Sequence, residues 1–210
     1  MSIKYHSSDL EVFIITYNRW DLLKISLNSL LNQDINGFNI TVLDNGSDFD
    51  NNSENNFFIN KGVKYVRFEK NDQFGIWITI SEMIKKSWVM IFHDDDIMHK
   101  TYISSCINTI NNFPNINFIG CFNSVFKNEI KHFNINTTLK PVFLKDKREF
   151  TFFLLDGNPV PFCSMVYKSS VFKNTRFNHY HNLFGKVWDR PMMIESSKNG
   201  GGIILKNKFI

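Results

Sequence analysis

Residues 11–16 (EVFIIT) are almost wholly apolar, rich in β-branched and aromatic types, and stop at Tyr17-Asn18-Arg19. That pattern predicts a buried strand ending in a loop. Over 20–31, Leu22, Leu23, Leu27, Leu30 and Leu31 fall at helical spacing, which predicts an amphipathic helix. A second strand is expected over 38–43, stopped by the turn formers Asp44-Asn45-Gly46-Ser47. The polar stretch 50–60 reads as a short helix and loop. A third strand follows over 63–68, then a helix over 71–86 carrying Phe74, Ile76, Trp77, Ile80 and Ile84, with Gly75 near its start. Residues 88–92 form a fourth strand, with His93-Asp94-Asp95-Asp96 at its end. A helix over 101–112, closed before Pro114, and a strand over 116–122 complete the regular half.

Beyond residue 123 the periodicity loosens. The expectations there are a hairpin over 124–140, a helix over 145–155, a loop over 157–161 and a strand over 163–167. A helix over 183–198, three glycines at 200–202 and a strand over 203–205 close the chain. Alternating strands and helices of these lengths predict an α/β fold with a mostly parallel sheet flanked by helices. Residues 1–122 and 123–210 read as a regular half and a smaller, looser one. In such sheets ligands sit beyond the carboxyl ends of the strands. Three polar clusters occupy that place: Thr16 to Arg19, Asp44 to Gly46 and Asp94 to Asp96.

Composition narrows the classes. The chain has 210 residues, 43% hydrophobic and 21% charged, enough for a real core in a soluble protein. The 22 phenylalanines suit a packed interior. A net charge of +4 with interspersed signs gives no basic stripe, so a nucleic-acid partner is not expected. Cys106, Cys121 and Cys163 form no CxxC and read as buried thiols in a reducing compartment. The polar start lacks a signal-like apolar stretch, and the longest apolar runs are strand-length. A cytoplasmic protein is expected, with peripheral attachment at the inner face of a membrane left open. The apolar end, Phe209-Ile210, is compatible with a natural chain that continues further.

The triple aspartate is the sharpest chemical signal. Three successive carboxylates repel one another unless a cation or hydrogen-bond donors compensate. Oxygen ligands of this kind suit Mg²⁺ or Mn²⁺ held partly by substrate phosphates. An acidic turn in solvent is the plain alternative, and the position at a strand end weighs against it.

Thr16-Tyr17-Asn18-Arg19, then Asp44-Asn45-Gly46-Ser47-Asp48, then Asn71 with Gly75, then His93-Asp94-Asp95-Asp96, taken in this order, resemble the family 2 glycosyltransferases of the GT-A fold. The resemblance is good over about residues 10–125 and looser beyond. It implies a GT-A, Rossmann-like fold whose first half binds a nucleoside-diphosphate sugar and whose second half takes the acceptor. By resemblance, Thr16, Tyr17 and Arg19 flank the nucleotide, Asp44 accepts a hydrogen bond from the base, and Asn71 and Gly75 belong to the donor site. Asp94 to Asp96 match the spacing of the DXD metal motif; in an alternative register Asp95, rather than Asp96, is the main metal ligand, with Asp94 near the ribose, and Asp95 is favoured. His93 stands where many members carry another acid.

The resemblance further implies Mn²⁺ or Mg²⁺ as cofactor and single displacement with inversion. It also implies an acceptor hydroxyl on a glycan or lipid-linked molecule, in a setting such as bacterial surface polysaccharide or lipopolysaccharide synthesis. The general base is expected near the start of a late helix, where Asp189 stands after Trp188; Asp156 is the rival. Trp188 and Phe162 are candidates for stacking on sugar faces, though core packing is the plainer role. Asn158, Pro161 and Ser164 are expected on the acceptor side. Two other classes remain: a nucleotidyltransferase, against which the missing glycine-rich loop after the first strand counts, and a binding module without turnover.

Overall fold

The computed structural model describes residues 3–48, 57–73, 75–125 and 138–210. Among these, eight strands form one sheet: β1 (Leu10–Thr16), β2 (Asn39–Asp44), β3 (Lys64–Arg67), β4 (Trp88–His93), β5 (Phe118–Phe122), β6 (Val142–Leu144), β7 (Val166–Lys168) and β8 (Gly202–Lys208). The helices are α1 (Trp20–Leu31), α2 (Gly75–Met83), α3 (Tyr102–Asn112), α4 (Lys147–Leu155), α5 (Ser169–Lys173), α6 (Phe177–Phe184) and α7 (Asp189–Glu195). The strand order is β3-β2-β1-β4-β7-β5-β8-β6. β1 pairs in parallel with β2 and β4, β2 with β3, and β5 with β8, whereas β7 and β6 run against their neighbours.

The sheet is covered on both faces, which is why its central strands are continuous apolar runs. Side chains alternate along a strand, so Val12 and Ile14 of β1 and Met90 and Phe92 of β4 share one layer with Leu23, Leu27 and Leu30 of α1 and Tyr102, Cys106 and Ile110 of α3. Phe13, Val89 and Ile91 face the opposite layer, with Ile76 and Ile80 of α2, Phe150 of α4 and Met192 and Met193 of α7. His93, two residues after Ile91, continues that second face. Cys106, Cys121 and Cys163 are buried and free. No helix among the described residues is long and apolar enough to cross a membrane.

The structure redraws several expected elements. The helix predicted over 71–86 begins at Gly75, whose amide donates to Asp72 Oδ1 at 2.8 Å, so residues 71–73 stay in the loop. The strand predicted over 163–167 is a 3₁₀ turn at Phe162–Ser164 followed by β7, with Ser164 N–H donating to Pro161 O. The helix predicted over 183–198 begins earlier and is cut in two at Gly185, where φ is +56°. A left-handed residue ends a helix, and glycine adopts it at no steric cost. β6 and α5 had no periodic signal of their own. Of the expected 50–60 helix, only 57–59 is described as helical; 50–56 and the bulk of the 124–140 hairpin, 126–137, lie outside the described residues.

Candidate active site

Parallel register aligns three strand ends. Thr16 lies opposite Asp44 of β2, and Ile15 opposite His93 of β4, so the three polar clusters leave the sheet side by side. Loop hydrogen bonds then tie them together. Asn18 adopts φ 54°, a left-handed conformation that asparagine tolerates. Its backbone N–H donates to Ser47 Oγ at 2.8 Å, its side chain donates to Asp48 Oδ2 at 2.9 Å, and Asp48 N–H donates back to Asn18 Oδ1 at 2.8 Å. Tyr17, beside it, is exposed.

Asp44 is buried and held from three directions. Ser47 N–H donates to Oδ1 at 2.9 Å, Tyr65 Oη–H donates to Oδ2 at 2.6 Å, and Arg67 Nε lies 3.9 Å from Oδ2. The next loop is pinned by Asn45, whose side chain donates to Asn71 Oδ1 at 3.1 Å and accepts from Asp72 N–H at 3.0 Å. Gly46 permits this approach. Its φ is +80°, and a Cβ there would lie 2.5 Å from the carbonyl carbon of Lys70 and 2.6 Å from Asn71 N. Gly46→Ala therefore combines backbone strain with a clash and costs about 1–3 kcal/mol. Thermal denaturation should register a fall in Tm of roughly 2–12 °C.

The acidic triplet divides its partners. Asp94, with a side chain 6% exposed, accepts from Thr16 Oγ1 at 2.7 Å and from Arg19 Nη1 at 3.3 Å. Asp95, 46% exposed, accepts from the same Arg19 nitrogen at 2.8 Å. Asp96 turns elsewhere: Oδ2 lies 3.6 Å from His93 Nδ1, in a cluster with Cys163. Burial raises the Asp94 pKa above its ordinary value, against the opposing pull of the Thr16 hydroxyl and Arg19. The carboxylates in turn raise the Arg19 pKa, Asp94 most and then Asp95. Thr16→Val keeps the shape but leaves a buried carboxylate oxygen without its donor, costing about 1–3 kcal/mol. A lower Tm in this variant, with Thr16→Ser close to the parent, is the expected result.

On the far side of His93 lies an aromatic bed. His93 and Phe162 have ring centroids 6.2 Å apart, Phe162 and Trp188 5.9 Å, and Trp77 and Trp188 4.9 Å. Phe162 is buried among these rings, so it is packing; Trp188 is half-buried against Trp77 and Phe177. Asp189 follows Trp188 as the first residue of α7, half-buried, with Oδ1 accepting from Arg190 N–H at 2.9 Å. It stands near enough to Tyr167 to raise that phenol's pKa, after the larger effect of burial. Asp156 is exposed at the C-cap of α4.

Ser164, expected on the acceptor side, is instead fully buried. Its hydroxyl donates to Pro161 O at 2.8 Å and accepts from Cys121 N–H at 3.2 Å, while its carbonyl accepts from Tyr102 Oη–H. Asn158 donates to Phe153 O at 2.7 Å and closes the end of α4. Ser47 belongs to the turn cluster already named, but Tyr65 and Arg67, which also hold Asp44, were missed: their signal was an alternate pair on β3, and nothing in the sequence fixed which face they take.

Comparison with solved structures identifies the fold. TarS of S. aureus, residues 1–349, superposes with a TM-score of 0.70 at 15% identity, over 95% of this chain and 58% of that one. The same fragment in complex with UDP-GlcNAc also gives 0.70 at 15% identity, over 95% and 56%. The mannosyltransferase PcManGT from Pyrobaculum calidifontis, in complex with GDP-Man and Mn²⁺, gives 0.60 at 12% identity, over 95% and 55%. The present chain thus spans little more than half of the TarS fragment and of PcManGT, and 35% of the longer TarS chain, and the shared architecture is GT-A. No curated protein sequence matches it. The model for "Glycosyl transferase family 2" matches residues 11–174, from β1 through the acidic triplet to the residue after α5, and the chain belongs to that family.

Proposed function

We propose that this chain is the catalytic part of a metal-assisted, inverting glycosyltransferase that moves a sugar from a nucleoside-diphosphate sugar, with UDP as the first choice, to an acceptor hydroxyl. The observation that carries the reading is the meeting of Asp44, Thr16, Arg19 and the triplet Asp94 to Asp96 at three adjacent parallel strand ends. The UDP and UDP-GlcNAc complexes of TarS support the donor class, and the GDP-Man complex of PcManGT marks the alternative nucleotide.

In this reading Asp44 receives the base, Tyr17 and Arg19 flank the nucleotide, and Asn71 and Gly75 border the donor. Asp94 serves the ribose side. Asp95, with Asp96 beside it, would hold Mn²⁺ or Mg²⁺. The residues fit such an ion: Asp94 and Asp95 share a single guanidinium, Arg19, Asp96 stands beside them, and Asp95 keeps an exposed oxygen-donor group. When bound, a divalent ion offsets the negative charge that develops on the departing diphosphate. Arg19, itself 52% exposed, is free to turn from the carboxylates to a phosphate oxygen.

The acceptor hydroxyl is a poor nucleophile near neutral pH, and Asp189 takes its proton as the new glycosidic bond forms. Asp156, exposed at the C-cap of α4, is the second choice. The acceptor is a glycan or a lipid-linked molecule, reached in the cytoplasm or at the inner membrane face. A role in bacterial surface polysaccharide synthesis rests on analogy with the family. The test is a panel of UDP-, TDP- and GDP-sugars incubated with Mn²⁺, with and without chelator, followed by measurement of released nucleoside diphosphate. Metal-dependent release from one donor supports the transferase. Donor binding with no release under any condition supports a binding module instead.

A further inference from the structure

We propose that His93, Asp96 and Cys163 form a second cation site, for a borderline-soft divalent ion of the zinc type, which shares Asp96 with the oxygen site assigned to Asp95. The three residues come from different places: the end of β4, the loop after it and the 3₁₀ turn Phe162–Ser164. One ring nitrogen, one carboxylate oxygen and one sulfur lie within 4.8 Å of one another. The His93 Nδ1 to Asp96 Oδ2 separation is 3.6 Å. Tetrahedral zinc bonds of about 2.0–2.1 Å to nitrogen and oxygen and about 2.3 Å to sulfur place ligand atoms about 3.4–3.6 Å apart. One edge of the tetrahedron is therefore already set, and the others close with side-chain movements of roughly 1 Å.

The supporting backbone is fixed on both sides. Ser26 Oγ donates to His93 O at 2.8 Å and pins the strand end to α1, Ser164 N–H donates to Pro161 O at 3.1 Å and closes the turn, and the pairing of β7 with β4 brings the two together. His93 is 44% and Asp96 31% exposed, which gives the cation an entry from solvent, while the buried Cys163 supplies the inner ligand. Nitrogen and sulfur donors select zinc over magnesium, which takes oxygen. Three protein ligands leave the fourth position to water. Binding replaces the thiol proton, which is released to solvent.

A consequence follows for transfer. Asp96 adjoins Asp95 and Cys163 lies under the same mouth, so zinc here withdraws part of the acidic triplet and inhibits the enzyme. The inhibition rests on the glycosyltransferase reading; the binding does not.

The binding is read without donor or acceptor. Metal-free protein is titrated with Co²⁺, a spectroscopic substitute for zinc, and zinc affinity is measured by competition with a chromophoric chelator. The expected result is a sulfur-to-cobalt charge-transfer band with tetrahedral visible absorption, lost in Cys163→Ser. His93→Ala should weaken zinc binding at least about tenfold, since even residues outside the ligand set commonly cost that much. A folded parent protein with no thiolate band, or the same band in folded Cys163→Ser, overturns the proposal. Should circular dichroism find Cys163→Ser unfolded, His93→Ala decides, and unchanged cobalt and zinc affinity in that variant overturns it.

Discussion

Asp95→Ala should lower metal-dependent release of nucleoside diphosphate about a thousandfold, the several kcal/mol that a divalent ion contributes to a charged transition state. The fold should be left intact. Asp95 is half-exposed, and its one described partner, Arg19, keeps Asp94 when Asp95 is gone. Exposed pairs of this kind contribute about 0–1 kcal/mol, so Tm should move by no more than roughly 4 °C. Paired measurements of turnover and melting separate this from general damage. A variant that melts like the parent and turns over like the parent removes Asp95 from the metal site.

Asp189→Asn should lower transfer to acceptor about 10²–10⁴-fold, the usual worth of a positioned general base. The substitution keeps an Oδ1 acceptor for Arg190 N–H, so α7 retains its start. Donor affinity, which the proposed function assigns to Asp44 and the triplet, should be unchanged. Asp156→Asn is the control and should transfer at the parent's rate. If Asp156→Asn loses transfer and Asp189→Asn does not, the two residues exchange roles.

The first half of the fold was legible because its physics is local and repetitive. β1 is buried on both faces and α1 carries a full apolar stripe, and the predicted helix bounds, 20–31, are those observed. The three polar clusters could be placed together because parallel strands that begin in one layer must end in one layer. The second half was harder. β6 and β7 have three residues each, too few for a period of two to register. The break at Gly185 depends on a backbone angle, not on an apolar pattern.

Individual site residues were legible to different depths. Asp94, Asp95 and Asp96 are equivalent in the sequence, yet burial sends the first to Thr16 and Arg19 and the third to His93 and Cys163. Cys163 lies sixty-seven positions after Asp96, and only the antiparallel docking of β7 against β4 brings its turn there. Ser164 looked like a polar lining residue and is a buried staple between Cys121 and Pro161. In each case long-range pairing decides what a local pattern cannot.

Calorimetric titration of UDP-, TDP- and GDP-sugars into the parent protein and Asp95→Ala, with Mn²⁺ and with chelator, decides whether the three strand ends form a metal-dependent site for a nucleoside-diphosphate sugar. Saturable binding of at least one donor to the parent is expected, tightened by Mn²⁺, with that tightening absent in Asp95→Ala. Equal affinity in both proteins with and without the ion, or no binding of any donor to the folded parent, would contradict it.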